Sequence, residues 1–179
     1  MGKLTVTAFT TLDNVAEDPH LWSSAFFSDE TGEVNAEVLR EADSMLLGRV
    51  TYDGFAGAWP SRSGDPFSDK FNAMPKHVVS TTLERADWNN TSIIADDVVD
   101  RIRALRDQEN VLVWGSPTLV KTLIDEGLVD EYVLLVSPIV RGQGKKLLPE
   151  DGTQRALRIT EPRLLEGGML AVRMTPAGS

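Results

Sequence analysis

The sequence predicts an α/β fold: a mostly parallel central sheet with helices on both faces, closed by a C-terminal antiparallel hairpin. Three observations predict it. Strand-like and helix-periodic segments alternate from residue 3 to residue 138, the pattern of parallel strands joined by crossover helices. The short apolar runs Ser44-Met45-Leu46-Leu47 and Val111-Leu112-Val113-Trp114 suit strands of a parallel sheet buried on both faces. Two β-rich runs, 157–165 and 169–174, flank Glu166-Gly167-Gly168, which reads as a hairpin.

The elements follow in order. Residues 3–11 alternate and are β-rich, giving a first strand that Asp13-Asn14 turns. Residues 16–31 read as irregular and aromatic, and residues 33–42 as a helix with Val34, Val38 and Leu39 on one face. The strand 44–47 runs into Gly48, then a helical turn over 49–55. Residues 56–66, with Gly57, Pro60, Gly64 and Pro66, read as a loop. Strands are expected at 77–80 and 92–95, a helix at 98–108 and a buried strand at 111–114. Gly115-Ser116-Pro117 opens the next helix, with Ser116 as N-cap and Pro117 at the first helical position. Gly127 ends it. The strand 131–138 completes a βαβ unit, and 141–146 is a Gly-rich basic loop.

A length of 179 residues suits one domain spanning the chain, 1–179. The net charge of −9 argues against a nucleic-acid partner, which needs a basic face. There is no cysteine and only His20 and His77, so no metal is expected. The absence of cysteine, and a start that reads as a strand rather than a leader, lead us to expect a cytoplasmic protein. No run approaches the ~20 apolar residues of a membrane span.

Three strand-to-helix junctions hold the candidate chemistry, because ligands of open α/β sheets gather at the carboxyl ends of strands. The first is Leu47-Gly48-Arg49-Val50-Thr51-Tyr52, where Gly48 permits close backbone approach, Arg49 offers a fork of donors and Thr51 a hydroxyl. The second is Gly115-Ser116-Pro117-Thr118, small residues that can admit a phosphate at a helix N-terminus. The third is Val79-Ser80-Thr81-Thr82-Leu83 with Arg85 nearby, able to hold a 2′-phosphate or to form a plain polar turn. Asp13 can touch a substrate or simply make an Asx-turn. Trp22, Phe26 and Phe27 can stack a flat heterocycle or seal a core edge. The G-x-G-x-x-G fingerprint of a classical Rossmann domain is absent.

The order of Thr11-Leu12-Asp13, Leu47-Gly48-Arg49-Val50-Thr51-Tyr52, Val78-Val79-Ser80 and Gly115-Ser116-Pro117-Thr118-Leu119 resembles the family of the RibD C-terminal reductase domain and dihydrofolate reductase. Leu123-Ile124-Asp125-Glu126-Gly127-Leu128-Val129-Asp130-Glu131, with Pro138-Ile139-Val140-Arg141-Gly142-Gln143-Gly144, is similar to the RibD-like branch. The resemblance implies a dihydrofolate-reductase-like three-layer fold, NADPH as hydride donor and a homodimer. It sets Gly48, Arg49 and Thr51 near the pyrophosphate, and Gly115, Ser116, Pro117 and Thr118 on the other side of the dinucleotide. Ser80, Thr81 and Thr82 would lie near the adenosine ribose, with Thr7 and Ala8 facing the nicotinamide. Thr7, Asp13 and Trp22 are the substrate-side candidates; no catalytic residue is assigned.

The chain departs from that pattern at four places. Thr7 stands where RibD-like reductases usually carry lysine. Trp114-Gly115 replaces a glutamate-glycine pair, Asn14 a turn glycine, and Thr81 a frequent arginine. Asp29 and Glu37 lie near the place of the pterin-binding carboxylate without matching it. The expected activity is NADPH-dependent reduction of a small heterocyclic, pyrimidine-like substrate, as in the uracil-reductase step of riboflavin biosynthesis. The alternatives are a non-catalytic nucleotide-binding protein that keeps the fold, or a reductase acting on folate.

Overall fold

The computed structural model describes residues 1–178. One eight-stranded sheet runs through the molecule. Its strands are β1 (Leu4–Thr11), β2 (Ser44–Gly48), β3 (Lys76–Val79), β4 (Thr91–Ile94), β5 (Val111–Trp114), β6 (Glu131–Ser137), β7 (Leu157–Leu164) and β8 (Leu170–Pro176). The spatial order is β4-β3-β2-β5-β1-β6-β8-β7. The first six are parallel, and β8 and β7 add antiparallel strands at one edge.

The helices are α1 (Asp29–Glu41), α2 (Arg49–Ala58), α3 (Pro66–Ala73), α4 (Val98–Gln108) and α5 (Pro117–Asp125). They divide between the two faces. Val34, Val38 and Leu39 of α1, Tyr52 of α2 and Phe71 of α3 pack on one face with Met45, Leu112, Trp114, Val133 and Leu135. Ile102 of α4 and Leu119, Val120 and Leu123 of α5 pack on the other with Val6, Leu46, Val113 and Leu134. Strands β1 and β5 feed both clusters because successive side chains point to opposite faces.

Several boundaries differ from the sequence reading. Helix α1 begins at Asp29 rather than residue 33, because Ser28 and Thr31 form a reciprocal capping box. Helix α2 continues to Ala58, and α3 starts at Pro66 with the Asp65 carboxylate accepting from the Phe67 and Ser68 amides. The expected loop over 56–66 is therefore only the stretch between them. Gly57 is tolerated inside a helix whose Phe55 and Trp59 rings are anchored against Phe71. That aromatic cluster is tertiary packing, which overrides local propensity.

Candidate functional site

Strand order reverses between β2 and β5. The chain leaves β2 toward β3, and leaves β5 across β1 toward β6. A crevice therefore opens beyond the carboxyl ends of these two neighbours, where ligands of open α/β sheets bind. Two of the sequence-predicted junctions meet there. Gly48 N–H donates to Ser116 Oγ at 2.8 Å, and Ser116 Oγ–H donates to Thr51 Oγ1 at 2.8 Å. A side chain at Gly48 would place its Cβ 2.9 Å from Ser116 Oγ, so only glycine lets the β2 end and the α5 entrance approach this closely. Gly115 and Ser116 both adopt left-handed backbone, φ 61° and 58°. This turns the chain sharply out of β5, and for Ser116 it stores strain.

Ser116 occupies the N-cap position of α5, but its hydroxyl makes no cap hydrogen bond. The expected side-chain cap is thus corrected: the hydroxyl reaches sideways to Gly48 and Thr51 instead. Gly48 at the head of α2 has no capping side chain either, and neither first turn carries an acidic residue. By contrast, α1 and α3 are capped by Ser28 and Asp65 and carry acids in their first turns. The two helices that open onto the crevice present amide N–H groups and the positive end of the dipole without internal neutralisation.

Arg49 connects the first junction to the third. Its Nε donates to both Asp53 carboxylate oxygens, 2.9 and 2.8 Å, and its Nη1 to Thr82 Oγ1 at 3.3 Å. Ser80 is buried and folds an ST-turn, accepting from the Thr82 and Leu83 amides. Thr81 and Thr82 are exposed on that turn. Arg85 lies outside the site, paired with Asp87 on the surface. Asp53, one helical turn after Arg49, was not singled out in the sequence; the (i, i+4) spacing was the available signal. Pro117 starts α5 and Thr118 is exposed on its first turn.

The substrate-side candidates lie along β1 and the loop after it. Thr7 is buried, and its hydroxyl donates to the Val133 carbonyl at 3.0 Å. Its own carbonyl accepts from Gly115 N–H at 2.9 Å, which ties mid-β1 to the second junction. Ala8 points to the opposite face, among the α4–α5 cluster. Asp13 accepts from Thr11 Oγ1 (2.6 Å) and from the Arg141 and Gly142 amides (3.1 and 2.7 Å). These bonds, the Thr11 hydroxyl foremost, lower its pKa to about 2. Asp13 therefore clamps the Gly-rich basic loop to the end of β1. Asn14 takes the left-handed conformation, φ 68°, which explains how asparagine replaces a glycine at this turn. Trp22 is half-buried and its indole N–H donates to the Glu17 carbonyl. Phe27 is 52% exposed, its ring 6.3 Å from that of Phe9. Of the two acids nearest the family's carboxylate position, Glu37 is bound to Arg163 of β7 and Asp29 is exposed.

Among the described residues, no group of three His, Asp or Glu side chains is placed to hold a metal ion, and no helix is long and apolar enough to cross a membrane.

Known proteins share this fold. The chain is 26% identical to Uncharacterized protein YyaP of Bacillus subtilis, covering 82% of this chain and 86% of that protein. A diaminohydroxyphosphoribosylaminopyrimidine deaminase/5-amino-6-(5-phosphoribosylamino)uracil reductase of Thermotoga maritima superposes with a TM-score of 0.69 at 16% identity, over 98% of this chain and 57% of that one. Dihydrofolate reductase of Enterococcus faecalis, in complex with NADP(H), superposes with a TM-score of 0.66 at 14% identity, over 98% and 96%. The fold is thus dihydrofolate-reductase-like. The RibD C-terminal domain model matches residues 2–171, nearly the whole chain, and the protein belongs to the RibD C-terminal domain family.

Proposed function

We propose that the protein is an NADPH-dependent reductase of a small, flat, pyrimidine-like heterocycle, working as one domain over its full length. The observation that carries this reading is the convergence at the β2–β5 crevice. Gly48, Thr51 and Ser116 are joined by two short hydrogen bonds, between two helix N-termini left open to an anion. In this reading Gly48, Arg49 and Thr51 hold the pyrophosphate from one side, and Gly115, Ser116, Pro117 and Thr118 from the other. Ser80, Thr81 and Thr82 lie toward the adenosine ribose, and the backbone of Thr7 and Ala8 borders the nicotinamide.

When bound, the cofactor would supply a hydride. The chain's own residues position and enclose. The Thr7 carbonyl fixes the Gly115 amide, Ser116 sets the width of the crevice, and Asp13 holds the 141–142 backbone over the end of β1. Titration calorimetry with NADPH should give a Kd in the micromolar range, about −8 kcal/mol. No heat and no thermal shift at millimolar NADPH would remove the proposal.

One observation favours the second reading, a dinucleotide-binding protein without catalysis. Thr7 and Asp13, the substrate-side candidates nearest a proton-transfer role, are both committed to hydrogen bonds within the protein. Oxidation of bound NADPH by a panel of heterocycles separates the two.

We further propose a homodimer, acting in the cytoplasm. Ile159, Leu164 and Leu170 leave an apolar surface on the β7–β8 hairpin, and burial of such a surface favours self-association. Sedimentation should give twice the 19.6 kDa chain mass; a monomer at micromolar concentration refutes it.

A further inference from the structure

The start of the Gly-rich basic loop over 141–146 is held by Asp13. Its far end borders a separate groove, for which the dinucleotide has no use. Lys121 of α5 forms one wall, and the segment from Gly144 to Asp151 forms the other. The groove encloses about 480 Å³, within the roughly 300–1,000 Å³ of small-molecule sites. Lys121 lies four residues past Pro117, about 6 Å of helix rise. The groove therefore runs along the flank of α5 and not at its N-terminus.

The second wall is fixed in place. The Asn14 side chain donates to the Leu148 carbonyl at 2.9 Å and accepts from the Leu148 amide at 3.1 Å. The Asn14 carbonyl accepts from the Leu147 amide, and the Ala16 amide donates to the Lys145 carbonyl. Gly144 sits at φ 117°, where an added Cβ would come 2.7 Å from Val15 Cγ1. A wall pinned along its length needs little ordering when a ligand enters.

Most of the charges here are already matched. Lys146 pairs with Glu150, and Arg155 holds Asp151 by two bonds of 2.9 Å. Lys121 differs. Asp125, one turn further along α5, is bonded to Arg155 at 3.3 Å instead. Among the described residues Lys121 has no hydrogen-bond or ion-pair partner. Arg141 and Lys145 also lack ion-pair partners among the described residues, and they extend the positive field along the loop. On a chain of net charge −9, uncompensated cations gathered at one groove draw anions to it. Leu148 and Pro149, both half-buried, supply an apolar surface beside them.

We propose that this groove binds a small monocarboxylate with an apolar body, its carboxylate on Lys121 and its body on Leu148 and Pro149. One uncompensated ammonium matches one negative charge, and lysine is a compact point charge. Lys146 has N–H donors to spare beyond its bond to Glu150. Glu150 and Asp151 repel a second negative charge, so a phosphate monoester is disfavoured. The site is separate from the β2–β5 crevice and does not rest on the reductase reading.

The test titrates 2-naphthoate into the full chain by ligand-observed NMR, with 2-naphthamide as the neutral probe and 2-naphthyl phosphate as the dianion. Wild type is expected to bind 2-naphthoate about tenfold more tightly than either, the scale of a hydrogen bond to a charged group. Lys121→Met keeps the apolar stem, removes the charge and should abolish that preference. Lys121 is exposed on α5, so the variant should keep the wild-type unfolding midpoint. Adding NADPH should leave 2-naphthoate binding unchanged. Failure of wild type to bind 2-naphthoate, equal or tighter binding of either control probe, an unchanged preference in Lys121→Met, or displacement of 2-naphthoate by NADPH overturns the proposal.

Discussion

Arg49→Ala is expected to weaken NADPH binding by about 1.5–3 kcal/mol while leaving the fold intact, the magnitude of a hydrogen bond to a charged group. Arg49 stands at the head of α2, next to Gly48, and reaches Thr82 on the turn that follows β3. Its Nε is held by Asp53, and its side chain is 39% exposed. The ion pair itself contributes little to stability at that exposure, so removing the arginine should move affinity rather than the unfolding midpoint. Asp53 also offsets part of the positive charge offered to a phosphate. Asp53→Asn should therefore tighten NADPH binding several-fold, in the opposite direction. Arg40→Ala, on α1, serves as a control with no change. Calorimetry at one fixed ionic strength checks all three, because salt screens such effects. Equal affinities for wild type and Arg49→Ala would take the first junction out of the site.

Lys76→Met should destabilise the protein by about 2–4 kcal/mol at pH 7, through three carbonyls that lose their only charged donor. Lys76 begins β3 and is fully buried. Its ammonium donates to the carbonyls of Asn72, Met74 and Asn89 at 2.8, 2.8 and 2.9 Å, and lies 4.4 Å from the Trp88 ring centre. These bonds tie the end of α3 and the loop between β3 and β4 to the start of β3. Desolvation lowers its pKa to about 8. The sign follows from proton counting. Between pH 8 and 10 the unfolded chain keeps the lysine proton and the folded chain gives it up, so stability rises with pH in that window. Above pH 10 the trend opposes itself, because burial raises the Tyr132 phenol to about 12 and the folded state then holds the extra proton. Denaturant midpoints between pH 7 and 10 should climb in wild type and lose this climb in Lys76→Met. A flat wild-type profile would show that the ammonium is not desolvated.

The sequence by itself determined the α/β class, the parallel alternation and the closing hairpin. These depend on local period and turn chemistry: α4 and β5 fall on the very residues expected, and Glu166-Gly167-Gly168 does connect β7 to β8. The three junctions were legible for the same reason, since glycine, serine and proline at strand ends mark sharp turns whatever lies around them. Helix α3 was not legible. Its eight residues carry a weak pattern, and beyond the Asp65 cap it is held by Phe67 and Phe71 packing against Trp59 and against Trp114 from a distant part of the chain.

Tertiary structure alone decided which junctions meet. Gly48 and Ser116 are 68 residues apart, and only the placement of β5 beside β2 joins them. It also decided how side chains are spent. Ser116 reads locally as a cap, yet a left-handed backbone turns its hydroxyl toward the neighbouring strand's end. Asp13 reads as a turn former, yet it holds amides 128 and 129 positions away. That Asn35 Oδ1 is buried without a hydrogen-bond partner appears only once α1 lies on the sheet, because burial and hydrogen-bond satisfaction are properties of neighbours that sequence spacing does not encode.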